Sequence, residues 1–590
     1  MAGASAVPYT RRPARWIRSA PDPAVVLTLE RELGIGLLAA RVLAHRGFTS
    51  SDRAAGFLNP SLSSLHDPLL MRGMDAAVER LRQAIERQDL ILLYGDYDVD
   101  GTTSIVILKK ALDLLNARAE FHVPHRLRDG YGMRAEVIEA AAAKGVKLIV
   151  SVDTGIRATE VVRQAGKLGI DVIVTDHHLP EAELPPALAV LNPNRSDCDY
   201  PEKNLCGAGV TFKLIQALFA ASAFPRDRQL RLLDSFLKMV AIATIADIVP
   251  LSGENRVIVR RGVAGLRQVK NPGLRALIGV SGLTGGVPPS THQVGFRIAP
   301  RINAAGLMDS AMDVIDLFLT EDAERARQLA SQLDVLNRER QEAEAAIVQS
   351  ILERCQEAPF DEDCAALVFA EPGWHLGVVG IVASRLVERF CRPVFVLSDT
   401  AEEGLLSGSG RSIPSFHLLE ALETMPDLFR KFGGHRQAAG LTIARESVTE
   451  FRRRFDAYAR ARLRADDMRP QYVVDADAAF PELTERAIDG IFSLAPFGFG
   501  NPTPLFCSEN VEVAGPPKIL GDGKHLKTPL RQQGRLLFFT AWNFGDRIDL
   551  FQPGRRLDIL FTVEDDPGSK SRGYAGWSVS LKDARPCIPA

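Results

Sequence analysis

Three aspartates crowd a single short turn of this chain. Asp96, Asp98 and Asp100 fall within one stretch of five residues. The apolar run 90–93 before them predicts a buried strand, and the apolar residues that follow Ser104 predict a helix. Because close carboxylates repel one another, each favours its protonated form unless a positive group lies nearby. The turn therefore indicates a divalent cation held between a strand and a helix.

Three interpretations of this acidic turn compete. The simplest is a solvated turn with no ligand. A calcium loop of the form D-x-D-x-D-G needs Glu at its twelfth position, where this chain has Ile107. Such a calcium loop also follows a helix, whereas the acidic turn follows a predicted strand. The third is a catalytic metal site at the carboxyl end of a strand in an open α/β sheet. Residues 98–102 also resemble the first motif of the haloacid dehalogenase-like phosphatases.

Length and composition narrow the class of protein. A chain of 590 residues is too long for one core and predicts roughly three to five domains. No run approaches the roughly 18–20 apolar residues of a membrane span. The first 20 residues hold four Arg without the apolar segment of a secretory signal, and Pro8, Pro13 and Pro21 favour a flexible lead-in over an Arg-rich transit peptide. The seven Cys form no C-x-x-C pair, which is typical of a reducing cytoplasm.

The pattern of apolar segments divides the chain into five parts and predicts an α/β protein. Residues 1–75 predict a small helical lead-in, and residues 76–320 predict a doubly wound, mainly parallel sheet. Residues 321–356 lack Gly and Pro and predict a long connecting helix, with a coiled coil as the alternative. Residues 357–465 predict a smaller α/β domain. Residues 466–590 predict a β-barrel of the OB-fold type.

Acidic and histidine side chains follow other elements of the sheet domain. Asp153 follows one predicted strand, and Asp176, His177 and His178 follow the next. Asp247 ends a long apolar helix. A single strand-end Asp is often only a helix N-cap, and adjacent histidines are often structural. Four such sites in one domain, counting the acidic turn, indicate a shared metal centre, and Asp and His without Cys suit Mn²⁺ or Mg²⁺.

These motifs carry a family resemblance. Asp-His-His at 176–178, with the acidic turn, Asp153-Thr-Gly and Ala-Asp247, resembles the DHH phosphoesterase superfamily. Within it, the acidic turn and Pro-Arg-Ile-Asn-Ala-Ala-Gly at 300–306 resemble the RecJ family of single-strand-specific 5′→3′ exonucleases. The resemblance extends from about residue 75 to the C-terminus and displaces the haloacid dehalogenase interpretation. It implies a DHH catalytic domain in 76–320 and a DHHA1 nucleic-acid-binding domain in 357–465.

The resemblance also implies roles for individual residues. The implied ligands of two divalent cations, Mn²⁺ or Mg²⁺, are Asp96, Asp98, Asp100, Asp153, His177 and Asp247. Asp96 either completes the ligand shell or acts from just outside it. Asp176 and His178 would orient the ligands or contact the scissile phosphate, and His435 would contact that phosphate from the DHHA1 domain. Tyr94 stands where other superfamily members carry a ligand His, so the shell of the first metal stays open.

Further residues are implied as DNA contacts. They are Arg301 and Asn303 near a predicted turn, Ser409 and Arg411 in a predicted loop beside the 5′ phosphate, and the glycine-rich segment Gly433, Gly434 and His435. Helix capping is the alternative for His435. Leu307 stands where the family pattern has a basic residue. The glycine-rich helix start at 207–213 predicts either a phosphate cradle or close helix packing.

Basic and aromatic residues also gather in the predicted barrel. They are Lys518, Lys524, His525, Lys527, Arg531, Arg535, Phe538, Phe539, Trp542 and Phe544. This combination on an OB-fold suits single-stranded DNA, although barrel core is the alternative for the aromatic rings. Because the net charge is only −2, nucleic acid must be bound by such a local surface.

Together these features predict a cytoplasmic two-metal phosphodiesterase that releases 5′-mononucleotides from single-stranded DNA in repair and recombination. We expect a monomer without membrane contact, with single-strand-binding protein or a RecQ-type helicase as the expected partners. The alternatives are a DHH-family nanoribonuclease or cyclic-dinucleotide phosphodiesterase, and a non-catalytic DHH scaffold that binds a replication helicase.

Overall fold

The structure is a computed structural model and describes residues 13–125, 130, 132–283, 286–308, 311–357, 360, 364–521, 523–570 and 575–587. The predicted flexible start, including Arg11 and Arg12, lies mostly outside these residues. The chain divides into two compact units. The first comprises Arg18–Asp334 with Val473–Ala590, and the second comprises the residues up to Ile17 with Val335–Tyr472. Within the described residues, every helix is too short or too polar to cross a membrane.

Short helices open the described chain. The elements are β1 Arg15–Arg18, α1 Pro23–Leu33, α2 Leu37–His45 and α3 Ser51–Leu58. The Asp22 carboxylate accepts the N–H of Ala24 and Pro23 occupies the first helical position, so α1 begins with a favourable cap. Gly34, at φ 67°, ends α1 in the left-handed conformation that glycine adopts without strain.

A five-stranded parallel sheet follows. Its elements are α4 Met74–Arg87, β2 Leu90–Tyr94, α5 Val99–Leu114, β3 Arg118–His122, α6 Ala135–Ala143, β4 Val146–Val152, α7 Thr159–Lys167, β5 Asp171–Thr175 and β6 Ala189–Leu191. The strand order is β3-β2-β4-β5-β6, and every pairing is parallel. Buried strands of a parallel sheet are apolar runs, which is why the sequence predicted them. Adjacent carboxyl ends of β2, β4 and β5 bring the three strand-end motifs to one edge.

Helices complete this part of the first unit. They are α8 Gly207–Ala220, α9 Arg226–Ala246, α10 Gly253–Gly265, α11 Pro272–Val280, α12 Thr291–Gln293, a π-helical turn Val294–Ile298, α13 Ala299–Met308 and α14 Met312–Leu319. The prediction of a turn at 300–306 is wrong, because these residues lie in α13. Pro300 lies inside a continuous helical run, two residues after the π-helical turn, where the regular hydrogen-bond ladder of the α-helix is already interrupted. Gly306 lies against the acidic turn, where an added Cβ would be 2.5 Å from the carbonyl oxygen of Tyr97.

A mixed sheet forms the second unit. The long helix α15, Ala323–Glu357, has residues in both units. The further elements are β7 Leu367–Ala370, α16 Val379–Phe390, β8 Val394–Asp399, β9 Leu405–Arg411, α17 Leu418–Glu423, β10 Phe429–Gly434, β11 Ala438–Ala444, α18 Val448–Arg460 and β12 Gln471–Val474. The sheet order is β10-β11-β9-β8-β7, with β7 and β8 parallel.

The predicted loop around Ser409 is wrong, since these residues form strand β9. Its small residues permit close packing rather than a turn. A Cβ on Gly410 would lie 2.5 Å from the ring of Phe395 on the neighbouring strand β8. A glycine in a strand often marks such a close approach.

A closed barrel ends the chain, as the OB-fold prediction required. The elements are β13 Ala476–Asp477, α19 Glu485–Ser493, β14 Phe506–Val513, β15 Lys518–Leu520, β16 His525–Gln532, β17 Arg535–Ala541, β18 Arg556–Asp565, α20 Pro567–Lys570 and β19 Trp577–Pro586. The order β14-β18-β19-β17-β16 closes into a five-stranded barrel, because β16 also pairs with β14.

The N-terminal helices and the C-terminal barrel share one hydrophobic core. Leu29, Leu38 and Leu43 from the first two helices are fully or almost fully buried with Phe480 and Phe539 from the end of the chain. Segments that are far apart in sequence therefore fold as one body within the first unit.

A buried arginine joins the sheet domain to both ends of this core. Arg256 on α10 is only 1% exposed. Its guanidinium donates to the carbonyl oxygens of Phe57, Leu494 and Ala495 at 2.6–2.9 Å and lies 3.5 Å above the Phe57 ring. Backbone carbonyl oxygens therefore accept hydrogen bonds from most of the N–H groups of this buried guanidinium.

Candidate metal centre

The acidic turn joins β2 to α5 and presents its carboxylates at the edge of the sheet. Asp98 is the N-cap of α5, and its carboxylate accepts the N–H of Gly101 at 2.9 Å. Asp96 accepts the N–H of Tyr97 at 2.8 Å. Asp100 lies in the first helical turn and is almost fully buried. The strand–turn–helix sequence thus places three carboxylates where a parallel sheet binds its ligands.

The start of α8 holds one of these carboxylates. The backbone N–H of Gly207 donates to Asp100 Oδ2 at 2.5 Å, and that of Ala208 donates to Asp100 Oδ1 at 2.8 Å. A helix N-terminus favours a negative charge, and here Asp100 provides it. Of the two interpretations of the glycine-rich helix start, the contacts favour close packing with a protein carboxylate.

The ends of β4 and β5 supply the next ligand candidates. Asp153 adopts φ 59°, an unusual left-handed conformation for a residue other than glycine. Its Oδ1 lies 3.2 Å from His177 Nε2. The same ring nitrogen lies 3.8 Å from Asp100 Oδ2, and His177 Nδ1 lies 3.8 Å from Asp247 Oδ2. The His177 ring therefore lies among three carboxylates that come from three different elements.

Asp176 orients the histidines. Its Oδ1 accepts the backbone N–H groups of His177 and His178 and contacts His178 Nδ1 at 2.7 Å. Its Oδ2 accepts the N–H of Ile156 at 3.0 Å. With its acceptors used in this way, Asp176 fits the predicted orienting role better than the predicted alternative, a contact with the scissile phosphate.

Three overlapping groups in the centre have donor atoms within 4.8 Å of one another. They are Asp153 with His177 and His178, Asp100 with His177 and Asp247, and Asp96 with Asp98 and Asp153. All six residues predicted as metal ligands fall into these groups, and His178 joins them.

Burial and mutual repulsion disfavour ionisation of three carboxyl groups in the centre. Burial, with repulsion from Asp100, raises the pKa of Asp98 and, to a much greater extent, that of Asp153. Burial and the same neighbour raise the pKa of Asp247 to about 9. Burial also lowers the pKa of His177, which therefore favours the neutral, metal-binding form of imidazole.

Two buried oxygens test whether these residues fit a metal. Asp153 Oδ1 and Asp247 Oδ2 are buried and have no hydrogen-bond donor among the described residues. Buried carboxylate oxygens are normally paired, because an unpaired one loses its solvation without compensation. A divalent cation would supply the missing partner, so oxygen-rich ligands with one imidazole fit Mn²⁺ or Mg²⁺.

His178 borders the cluster at its more exposed side. Burial opposes protonation of its ring, but the hydrogen bond and charge of Asp176 prevail and raise the pKa of His178. The pKa of Asp176 is lowered, since its hydrogen bonds with His178 outweigh the effect of burial. The two residues therefore favour an ion pair.

The other predicted residues of the first unit are engaged with protein groups. The buried Tyr94 hydroxyl donates to the carbonyl oxygen of Gly132 at 3.2 Å. Arg301 pairs with Asp334 at 2.8 Å. Asn303 Oδ1 accepts the N–H of Val99 at 3.2 Å and so supports the acidic turn. A DNA contact by Arg301 or Asn303 stays a prediction, and Leu307 is half-buried.

The second unit brings its predicted DNA contacts together. The strand register aligns Gly433 with Gly440 and Gly440 with Ser409. Arg411 donates to Ser409 Oγ at 2.6 Å. His435 follows Gly434 in the hairpin between β10 and β11, and its N–H donates to the carbonyl oxygen of Ala438 at 2.8 Å. The helix-cap alternative for His435 is wrong, because a strand follows it.

Sequence reasoning missed the residues that hold the Asp-His-His backbone. Asn192 Nδ2 donates to the carbonyl oxygen of His178 at 2.8 Å, and Asn194 Nδ2 donates to that of His177 at 2.6 Å. Both follow β6, the next strand of the same sheet. The strand-end rule that singled out Asp153 would also have found this Asn-Pro-Asn segment.

The parallel sheet and its Asp/His cluster define a DHH-family protein. The model of the DHH family, N-terminal domain, matches residues 90–244, the DHHA1 domain matches residues 363–461, and the RecJ OB domain matches residues 474–567. The chain is 38% identical to the single-stranded-DNA-specific exonuclease RecJ of Bacillus subtilis, over 92% of this chain and 68% of that protein. It is 41% identical to RecJ of Dickeya dadantii, over 81% and 85% of the two chains.

A solved structure agrees with these sequence relatives. RecJ of Thermus thermophilus in complex with Mn²⁺ superposes with a TM-score of 0.81 at 31% identity, covering 98% of this chain and 80% of that one. This chain therefore belongs to the RecJ family of single-stranded-DNA-specific exonucleases.

Proposed function

We propose that this protein is a metal-dependent 5′→3′ exonuclease that hydrolyses single-stranded DNA to 5′-mononucleotides during repair and recombination. The observation that carries the proposal is a pair of buried oxygens beside His177, Asp153 Oδ1 and Asp247 Oδ2, which receive no hydrogen bond from any described residue. Family membership supplies the substrate class. The relatives are single-stranded-DNA-specific exonucleases, and solved RecJ structures contain Mn²⁺ or Mg²⁺.

In this proposal the two cations are held by Asp96, Asp98, Asp100, Asp153, His177 and Asp247. When bound, divalent cations supply Lewis-acid activation and charge compensation for a phosphodiester. His178, oriented by Asp176, borders the cluster and donates a hydrogen bond to a phosphate oxygen. The roles of these residues rest on their positions in the motifs and on the distances given above.

The second unit is proposed to bind the nucleic acid backbone. Arg411 and Ser409 on β9 offer donors for a terminal 5′ phosphate. Gly433 and Gly434 lie on β10, which is separated from β9 by β11, and His435 lies in the turn between β10 and β11. Arg301 and Asn303 are retained as contacts of the first unit. The proposed domains keep the five predicted ranges, 1–75, 76–320, 321–356, 357–465 and 466–590.

One face of the barrel supports binding of unpaired bases. On β16 and β17, Lys527 is in register with Thr540, and His525 contacts Trp542 with ring centroids 4.9 Å apart. Phe538 and Trp542 are 56% and 53% exposed, whereas Phe539 and Phe544 belong to the barrel core. Exposed rings beside basic residues suit base stacking and phosphate attraction. The core alternative is thus correct for two of the four aromatic residues.

Digestion of labelled DNA tests the proposal. A 5′-labelled single strand, its duplex form and a five-residue RNA are incubated with Mn²⁺, Mg²⁺ or chelator. Metal-dependent release of labelled mononucleotide from the single strand alone is expected. Cleavage of the short RNA alone would assign the protein to the nanoribonuclease alternative, and no cleavage with any metal would favour the scaffold alternative.

Two substitutions locate the chemistry. Asp100→Ala and His177→Ala are expected to abolish cleavage and to leave binding of single-stranded DNA largely intact, because the DNA contacts lie elsewhere. Asp113→Asn is the matched control, since Asp113 lies on the same helix as Asp100 but pairs with Lys109 on its surface. Equal losses of binding and cleavage in the first two variants would contradict the assignment.

We further propose a cytoplasmic monomer that works with single-strand-binding protein or a RecQ-type helicase. Size-exclusion chromatography with light scattering gives the molar mass of the protein alone and mixed with each purified partner, and so tests the monomeric state and the formation of a complex. A dimer without partners, or no complex with either partner, would contradict them.

A further inference from the structure

Gly207 lies between two of the proposed metal ligands. Its backbone N–H donates to Asp100 Oδ2 at 2.5 Å. On its other side, a Cβ added to Gly207 would lie 2.6 Å from Asp153 Oδ1 and 2.6 Å from Asp153 Cβ. Real Cβ atoms essentially never come this close to another heavy atom. Glycine is thus the residue that leaves the Asp153 carboxylate in its observed place.

The position of Asp153 leaves little freedom to avoid such a clash. Its backbone is in the left-handed region at φ 59°, and its N–H donates to the carbonyl oxygen of Thr175 at 2.9 Å. Its Oδ1 is buried, receives no hydrogen bond from the part of the chain that the structure describes, and lies 3.2 Å from His177 Nε2. Any shift of the Asp153 carboxylate would therefore change its distance from the His177 ring and disturb the arrangement of the proposed ligands.

Helix propensity does not explain glycine at this position. Gly207 is buried in the first turn of α8, where alanine would be the better helix former. Gly209, two residues further along, is also buried, but the three heavy atoms nearest to a Cβ there, at 3.2–3.7 Å, all belong to the side chain of Leu205. The two glycines therefore share one helix and differ in their neighbours.

We propose that Gly207 is a positioning residue of the metal centre. Its amide fixes the Asp100 carboxylate, and its lack of a side chain leaves room for the Asp153 carboxylate, so that both face His177. The inference rests on the proposed function in treating these carboxylates as metal ligands. It makes the start of α8 a structural part of the centre rather than a separate phosphate site.

Titration of Mn²⁺ into the metal-free full-length protein, followed by calorimetry and by the electron paramagnetic resonance signal of free Mn²⁺, tests this inference without DNA. Gly207→Ala is expected to weaken Mn²⁺ binding by about 10–100-fold, the usual effect of losing a group that orients metal ligands. Gly209→Ala, the matched control, is expected to bind within about twofold of the natural protein, because no carboxylate moves. Unchanged binding in Gly207→Ala would overturn the inference.

A second variant covers the case in which Gly207→Ala destabilises the fold. Asp153→Gly removes the side chain that the new methyl group would meet, and glycine suits φ 59°. If the clash is the cause, Gly207→Ala lowers the melting temperature of the metal-free protein in the natural background but not in the Asp153→Gly background. An equal decrease in both backgrounds would show that Gly207 has only a general packing role and would overturn the inference.

These outcomes are separable from those of the proposed function. A protein that binds Mn²⁺ in a Gly207-dependent way but cleaves no DNA contradicts the exonuclease and leaves the positioning role intact. A protein that cleaves DNA and tolerates Gly207→Ala does the reverse. A natural protein that binds no Mn²⁺ overturns both.

Discussion

Three buried carboxyl groups of the metal centre are difficult to ionise. Asp98, Asp153 and Asp247 come from a turn, a strand end and a helix end, and each is mostly withdrawn from water. Burial and mutual repulsion raise their pKa values, so these carboxylates tend to bind protons when no metal is bound. Protons and metal ions therefore compete for the same oxygens.

The metal-free protein is expected to lose stability as pH rises. The folded pKa values of these carboxyls exceed the unfolded ones, so their stabilising effect is fully present below about pH 4 and is lost as pH rises, through about 9 for Asp247. Urea midpoints of the chelated protein should fall between about pH 5 and about pH 9. Asp247→Asn should flatten this dependence. A midpoint that rises with pH would contradict the prediction.

At the scale of elements, α13 supports the acidic turn. Asn303 accepts the N–H of Val99, and Gly306 lies against Tyr97. This helix carries the Pro-Arg-Ile-Asn-Ala-Ala-Gly segment that the family resemblance assigned to DNA. Its observed contacts show that the segment also holds the loop that carries three of the proposed ligands.

Asn303→Ala is expected to lower Mn²⁺ affinity and cleavage about tenfold, since the turn loses an anchor, and to cost about 1 kcal/mol of stability. Calorimetric titration and urea denaturation measure the two effects. Asn271→Ala, which removes the N-cap of α11 in the same unit, should lower stability alone. An equal loss of Mn²⁺ affinity in both variants would assign the effect to general destabilisation.

The exposed rings of the barrel face give a second prediction at this scale. Trp542→Ala and Phe538→Ala should each weaken binding of a long single strand by about 1–3 kcal/mol, because base stacking is lost. Leu168→Ala, an exposed apolar residue after α7, should have no effect. Fluorescence anisotropy with labelled oligonucleotides measures this, and unchanged affinity in both aromatic variants would exclude the face from the binding surface.

The sequence predicted features that depend on neighbouring residues and missed features that depend on residues far away in the chain. Buried parallel strands are local apolar runs, so the sheet and its strand-end residues Asp153 and Asp176 were predictable. Pro300 and Gly306 were misinterpreted as turn residues, because the reason for Gly306 is a neighbour about 200 positions earlier in the chain. The donors to Asp100 were missed for the same reason, since the start of α8 lies far from the acidic turn in sequence.

At the scale of the whole molecule, the first helices and the last barrel form one core. Leu38 and Phe539 are both fully buried in it, and Arg256 joins the core to the sheet domain. No local pattern predicts such a pairing, because the periodicity of α2 only marks an apolar face and does not identify its partner. The lead-in is thus a structural component of the barrel.

Leu38→Ala is expected to destabilise the barrel together with the helices. Loss of a fully buried leucine costs about 2–5 kcal/mol because a cavity remains. Leu27→Ala, on α1 but exposed, should cost less than about 0.5 kcal/mol. Urea denaturation measures both, followed by fluorescence in a background that keeps only Trp577, which packs against this core, and has the other three tryptophans replaced by phenylalanine. An unchanged urea midpoint for the barrel in Leu38→Ala would contradict the shared core.

The shared core has a consequence for synthesis on the ribosome. Helices α1–α3 emerge before the barrel strands that cover them, which follow roughly 400 residues later. At about 5–20 residues per second, their apolar faces wait about 20–80 s for a partner. During that interval the exposed apolar surface can aggregate or bind chaperones. A chain that stops before the barrel strands keeps this surface exposed, which makes it a target for the chaperones and proteases that act on incompletely folded proteins.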